Sequence, residues 1–290
     1  MTIDSHAHYS VFQYNNQFPF LDGKNGALFR NHGTKKELFA RMKEEGISLF
    51  IEPSVRFENL ENQLALASEY PTFIRSAVGV HPKYCLYAPW EEREKLRRLA
   101  EESHAVAIGE TGLDYSIKLT DEEKETQKNW FSYQLSLARA LRLPLVLHIR
   151  SADEDALEIL KKEKFPFGGA VHCFGGDLPT AEAYIELGFA IGIGGRLLQK
   201  EKDSAVLRET VQKMPLSSIL IETDAPYVMP DLSVVEASDK QKQKMRNTSL
   251  ILPNVIREIA RLKEMDVSDV EKAVWENTLN VFSVKGENLI

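Results

Sequence analysis

Leu145-Val146-Leu147-His148-Ile149, introduced by Pro144 and closed by Arg150, is an apolar run without polar alternation that carries an imidazole near its end. Such a run is too short for a buried helix, and its lack of alternation predicts a strand covered on both faces, as in a parallel sheet. The proline ahead of it acts as a breaker. Seven more runs share this character: Met1–His6, Ser48–Pro53, Ile74–His81, Ala105–Glu110, Ala170–Phe174, Phe189–Ile193 and Ile219–Thr223. Amphipathic stretches lie between them. Lys35–Glu45 sets Leu38, Phe39 and Met42 at helical spacing, Glu122–Leu141 gathers Trp130, Phe131, Leu135 and Ala138 on one face, and Ala181–Leu187 stops at Gly188. Eight strands alternating with helices predict an α/β protein of the (β/α)8 TIM-barrel type. The competing architecture is an open doubly wound sheet, but no G-x-G-x-x-G follows the first run.

Composition agrees with one domain spanning residues 1–290. Barrels of about 250 residues fold as single units. Apolar residues make up 43% of the chain and charged residues 27%, which excludes disorder for its bulk. No apolar run approaches the roughly 18–20 residues of a membrane span, so no membrane attachment is expected. Cys85 and Cys173 are too few for a disulfide framework. The start, Met1-Thr2-Ile3-Asp4, shows neither a basic segment nor an apolar leader, and the expectation is a cytoplasmic protein. No obligate protein partner is evident. Lys and Arg total 36 against 43 Asp and Glu, a net charge of −7, which argues against tracking along duplex DNA by charge alone.

Two segments interrupt the alternation. Tyr9–Gly33 is long for a strand-to-helix loop and rich in Phe, Tyr and Asn, and Pro230–Asn247 is polar. Both are expected at the C-terminal rim, where barrel active sites lie. Tyr9, Phe12, Tyr14, Phe18 and Phe20 admit two readings: a lid that stacks on bases, or a small satellite cluster packed on the barrel.

Ligand-type side chains end most of the runs. The first closes with Asp4-Ser5-His6-Ala7-His8, in which alternate residues share a face. His81, Glu110, His148, His172 and Asp224 follow at the ends of later runs, and only His32 and His104 lie elsewhere. Imidazoles with carboxylates suit Zn²⁺, Mn²⁺ or Fe²⁺ better than an all-oxygen site does. Four histidines and two carboxylates exceed the three protein ligands of a single catalytic ion. They fit two ions bridged by a carboxylate, an arrangement that hydrolyses phosphodiesters, phosphomonoesters and amides.

The motifs Asp4-Ser5-His6-Ala7-His8, Gly79-Val80-His81-Pro82, Gly109-Glu110-Thr111-Gly112-Leu113-Asp114-Tyr115, His148-Ile149-Arg150, His172-Cys173-Phe174 and Glu222-Thr223-Asp224-Ala225-Pro226-Tyr227 are similar, in order, to those of the TatD family of metal-dependent hydrolases. The resemblance runs from Met1 to about Phe282. It implies a divalent-metal deoxyribonuclease cleaving DNA phosphodiesters, exonucleolytically and from single-stranded ends. It implies two divalent cofactor ions (Mg²⁺, Mn²⁺, Zn²⁺ or similar), with His6, His8 and Asp224 on the first, His148 and His172 on the second, and Glu110 bridging. Asp224 then also accepts a proton from the attacking water, Arg150 and His81 face the scissile phosphate, and Asp4 and Asp114 orient ligands.

The chain also departs from the family pattern. Lys83 stands where many members carry a second histidine. Arg246-Asn247-Thr248-Ser249 replaces Arg-Asn-Glu-Pro, Gly175-Gly176 replaces Ser-Gly, and the Tyr9–Gly33 insertion is longer. Competing classes are a small-molecule amidohydrolase or esterase, an aminoacyl-tRNA deacylase using the same ions, and a non-catalytic metal-binding protein.

Overall fold

In the computed structural model, which describes residues 1–11, 16–24 and 26–284, every predicted run contains a strand. In chain order the strands are β1 (Thr2–Asp4), β2 (Phe18–Lys24), β3 (Ala27–Gly33), β4 (Ile47–Pro53), β5 (Ile74–Val78), β6 (Ala107–Asp114), β7 (Leu145–Arg150), β8 (Gly169–Val171), β9 (Phe189–Ile193) and β10 (Ile219–Ile221). All but β2 and β3 form one parallel eight-stranded sheet in the order β1-β4-β5-β6-β7-β8-β9-β10. Backbone bonds from Ser5 N to Ile221 O, Asp224 N to His6 O and His8 N to Ala225 O join its two ends, so the sheet curls into a barrel. Among the described residues no helix is long and apolar enough to cross a membrane.

Alternation explains how the strands divide their side chains. Leu145 and Leu147 of β7, Ile191 of β9 and Ile219 and Ile221 of β10 face the surrounding helices. Val146, Ala190 and Leu220 face the lumen with Ile3, Leu49, Ile51, Ala77, Ala107 and Ala170. Phe282, from the helix Val267–Phe282, belongs to this lumen cluster, and Trp275 and Leu279 of that helix pack against it. The long helix Asp121–Leu141 opens with a reciprocal Thr120/Glu123 capping box and buries Trp130, Phe131, Leu135 and Ala138, as its periodicity predicts.

The region after β1 differs from the expected loop. Residues Phe18–Gly33 are an antiparallel hairpin, β2 with β3. It adheres to the segment before the C-terminal helices: Leu21 N donates to Arg246 O, Arg246 N to Pro19 O, and Thr248 Oγ1 to Leu21 O. Gly23 lies so close to this segment that a Cβ would stand 2.3 Å from Leu250 O. The lid reading fails for two of its aromatics. Tyr9 is buried against Phe39 and Phe50 with its hydroxyl near Ser249 Oγ, and Phe20 is buried beside Phe18. Phe12 and Tyr14 lie outside the described residues.

Candidate metal centre

The lumen rows carry the ligands upward. Two residues beyond Val146 on its row stands His148, and two beyond Ala170 stands His172. In β6 the pairing register shifts between Ile108 and Thr111, an irregularity of the kind that re-aims a side chain, and Glu110 sits within it. Three sharp reversals follow the ligand-bearing strands: Ser151, Cys173 and Asp224 are non-glycine residues with φ of 53°, 49° and 51°. Left-handed backbone of this kind costs about 1–3 kcal/mol and clusters at functional sites.

Glu110 is the hub. Its Oε2 lies 3.8 Å from His6 Nε2 and 3.7 Å from His8 Nε2, and Asp224 Oδ1 lies 3.8 and 3.4 Å from the same nitrogens. Its Oε1 lies 3.0 Å from His148 Nδ1 and 2.7 Å from His172 Nε2. The nitrogens within each histidine pair are 3.0 Å apart. Ligand atoms about 2.0–2.2 Å from a tetrahedral ion stand roughly 3.3–3.6 Å from one another. The carboxylate contacts of His6 and His8 are near that spacing, whereas His148, His172 and Glu110 are drawn together at hydrogen-bond distance and would part slightly around an ion. The donor set fits too, with nitrogens and carboxylate oxygens converging from five strand ends. His6 and His172 share a stacked arrangement, ring centroids 3.9 Å apart.

The electrostatics are those of a cation site. Burial opposes charge on His8, but the hydrogen bond to Asp224 and the charge of Glu110 outweigh it and lift its pKa to about 9. Burial likewise opposes charge on His148, and its bonds to Asp114 and Glu110 lift it to about 9. Burial also resists ionisation of Glu110, yet His172 and His81 hold it well below the usual carboxylate range. Positive charge is thus favoured between these carboxylates, and a metal ion held there would take the place of the imidazole protons.

Outer partners hold the ligands. His8 Nδ1 sits 3.1 Å from Pro53 O, and His148 Nε2 sits 2.9 Å from Asp114 Oδ2. Asp114 is buried and also accepts from Ser116 and from Lys83 Nζ at 3.1 Å. Asp4 acts on backbone amides and hydroxyls rather than on rings. It accepts from His6 N, Thr223 N, Thr223 Oγ1 and Ser249 Oγ, which fixes the ends of β1 and β10 against each other. Burial pushes Asp4 up to about 6 against those bonds.

His81 reaches the centre, its Nε2 3.8 Å from Glu110 Oε1, while its Nδ1 accepts from Lys83 N and caps the short helix Pro82–Cys85. Arg150 is exposed at the end of β7 and is not drawn into the cluster. Among the described residues no ion pair joins Arg150 to Asp153 or Glu154 on the helix that follows. Glu222 was quoted in a motif without a role. It is buried, accepts from Cys173 N, and stands 3.9 Å from His172 Nδ1. It occupies space left by Gly192, where a Cβ would stand 2.3 Å from its Oε2. The signal that finds it is parity: Glu222 is two residues beyond lumen-facing Leu220.

A parallel barrel with histidines and carboxylates at its C-terminal rim defines a metal-dependent hydrolase. The model of the TatD related DNase family matches residues 3–283, and the chain belongs to the TatD family of metal-dependent nucleases. It is 35% identical over 248 residues to the 3'-5' ssDNA/RNA exonuclease TatD of Yersinia pseudotuberculosis, covering 83% of this chain and 90% of that protein. It is 28% identical over 285 residues to the uncharacterized metal-dependent hydrolase YabD of Bacillus subtilis, covering 98% and 100%. The crystal structure of YJJV, a TatD homologue of Escherichia coli, superposes with a TM-score of 0.81 at 28% identity, covering 98% of each chain.

Proposed function

We propose that this protein is a two-ion exonuclease acting on single-stranded DNA or RNA ends. The observation that carries the reading is the division of Glu110: one carboxylate oxygen faces His6 and His8, the other faces His148 and His172. His6, His8 and Asp224 would hold one divalent ion, His148 and His172 the other, and Glu110 both. Such ions supply a water nucleophile at neutral pH and offset charge on the attacking and leaving oxygens. The relatives named as 3'-5' ssDNA/RNA exonucleases support a strand end as substrate.

The chain's own groups do the rest. Asp224 is partly exposed at the rim and accepts the proton of the attacking water on a carboxylate oxygen. His81 stays neutral, since burial lowers its pKa to about 3. Its Nδ1 accepts from Lys83 N, so the ring proton sits on Nε2, where the N–H would donate a hydrogen bond to a phosphate oxygen. Arg150, exposed at the rim, offsets phosphate charge.

The test is cleavage of end-labelled single-stranded DNA and RNA by metal-stripped protein resupplied with Mg²⁺, Mn²⁺ or Zn²⁺, with bound ions counted in the same samples. Stepwise shortening that disappears in Asp224→Ala, with two ions per chain, is the expected result. Absence of shortening in the loaded protein would overturn the nuclease reading, and one ion per chain would overturn the bridging role of Glu110.

A further inference from the structure

Beside the metal centre lies a cavity of about 500 Å³ walled by Arg56, Phe57, Glu58, Tyr84, Tyr87 and Lys95, among others. That size is within the range of pockets that enclose small organic ligands. It neighbours the centre through His81: Val80, which precedes His81, lines the cavity, and the ring of His81, the cap of the short helix Pro82–Cys85, is 5.6 Å from that of Tyr84 on the helix. The Arg56 guanidinium lies 3.9 Å over the face of Tyr84, a planar cation stacked on an aromatic ring. Tyr87, on the cavity wall, is 83% exposed. Tyr227 extends the aromatic rim toward the metal-ligand cluster, 6.1 Å from His8 and within electrostatic reach of Arg56 and Tyr84.

We infer that this cavity is a nucleobase subsite, in which a base of the substrate strand stacks on the Arg56–Tyr84 pair while a neighbouring phosphate lies at the ions. The inference rests on the nuclease reading and names where the strand runs. Three features select a base over other occupants. Flat π-faces and a planar guanidinium are what bases stack upon, whatever their sequence. Glu58 and Glu92 on the cavity wall are offset by Arg56 and Lys95, so the wall gathers no net positive charge for a phosphate, and the two carboxylates can accept from the amino edge of a base. Finally, the cavity opens beside His81, the residue placed at the scissile phosphate. A strand that leaves the centre past His81 therefore reaches Tyr84.

The test compares two single-stranded DNA oligonucleotides, one unmodified and one with base-free residues in its terminal positions, on the ion-loaded wild type, Tyr84→Ala and Tyr84→Phe. One stacked base is worth about 1–3 kcal/mol, which is roughly a 5- to 150-fold change in KM. Tyr84→Ala should raise KM on the unmodified strand by that factor, Tyr84→Phe should restore most of it, and neither should alter KM on the base-free strand. Equal losses on both strands would show that Tyr84 only supports the fold of the rim, and an unchanged KM on the unmodified strand would show that no base enters; either overturns the subsite while leaving the nuclease standing. A wild type that shortens neither strand overturns the nuclease reading, and the subsite with it.

Discussion

The same eight strands build two barrel ends of opposite character. At the N-terminal end the lumen is filled by Ile3, Leu49, Ala77, Ala107, Val146, Ala170, Ala190 and Leu220 and stoppered by Phe282. Two residues further along the same rows stand His148, His172 and Glu222, and Gly192 occurs where a side chain would fill the space Glu222 needs. Apolar burial stabilises one end. At the other, ionisable groups are packed together with some polar atoms left unpartnered, including His6 Nδ1, His172 Nδ1 and Glu222 Oε2. The contrast separates the work: the lower half holds the fold, and the upper half spends stability on chemistry.

The largest effect should come from the upper end. Asp224→Ala removes an ion ligand and the proton acceptor together, so turnover should fall by at least about 10²–10⁴-fold. Its melting temperature without metal should change little, because losing the Asp224 charge relieves buried Glu222 but removes the support of charged His8. A cooperative loss of fold in this variant would break the contrast between the two ends. Phe282→Ala should do the reverse. Emptying its buried site should cost roughly 3–5 kcal/mol of stability, read by denaturant melts, while the remaining folded protein keeps its kcat/KM.

This division was half legible in the chain. Runs such as Phe189–Ile193 were readable because a strand buried on both faces needs no polar alternation, and histidines at run ends marked the rim. The β2–β3 hairpin was not read, although Asn25-Gly26 between apolar stretches is a hairpin signal; Pro19 and Gly23 within the first strand disguised it. The roles of Glu222 and Lys83 depend on which side chains meet across strands, and spacing along one strand carries no such information.

Asp114→Asn probes the layer beneath the ligands. The Asp114 carboxylate, kept ionised by His148 and Ser116 against the cost of burial, orients the His148 ring. The amide retains the shape but weakens the bond to Nε2. Ion affinity should fall by about 10–100-fold, with activity recovered at high metal concentration. A loss that excess metal does not recover would place Asp114 in the chemistry itself.

Lys83→Ala should give the smallest change. Its ammonium lies 3.1 Å from Asp114 Oδ2, but the side chain is 33% exposed, so solvent screens the pair. Two roles are distinguishable. If Lys83 only balances Asp114, the variant should loosen metal binding and leave the substrate KM at saturating metal untouched. If it attracts the phosphodiester, KM should rise by about 1.5- to 5-fold, the equivalent of an exposed ion pair, and the difference should fade as salt is added. The second outcome is expected, because His148 and the two Ser116 donors already satisfy Asp114, which leaves the ammonium able to turn toward a phosphate at the rim. Lys83→His then sharpens the point: an uncharged imidazole in place of the permanent cation should lose the salt-dependent part of KM at neutral pH, even though it supplies a ligand nitrogen.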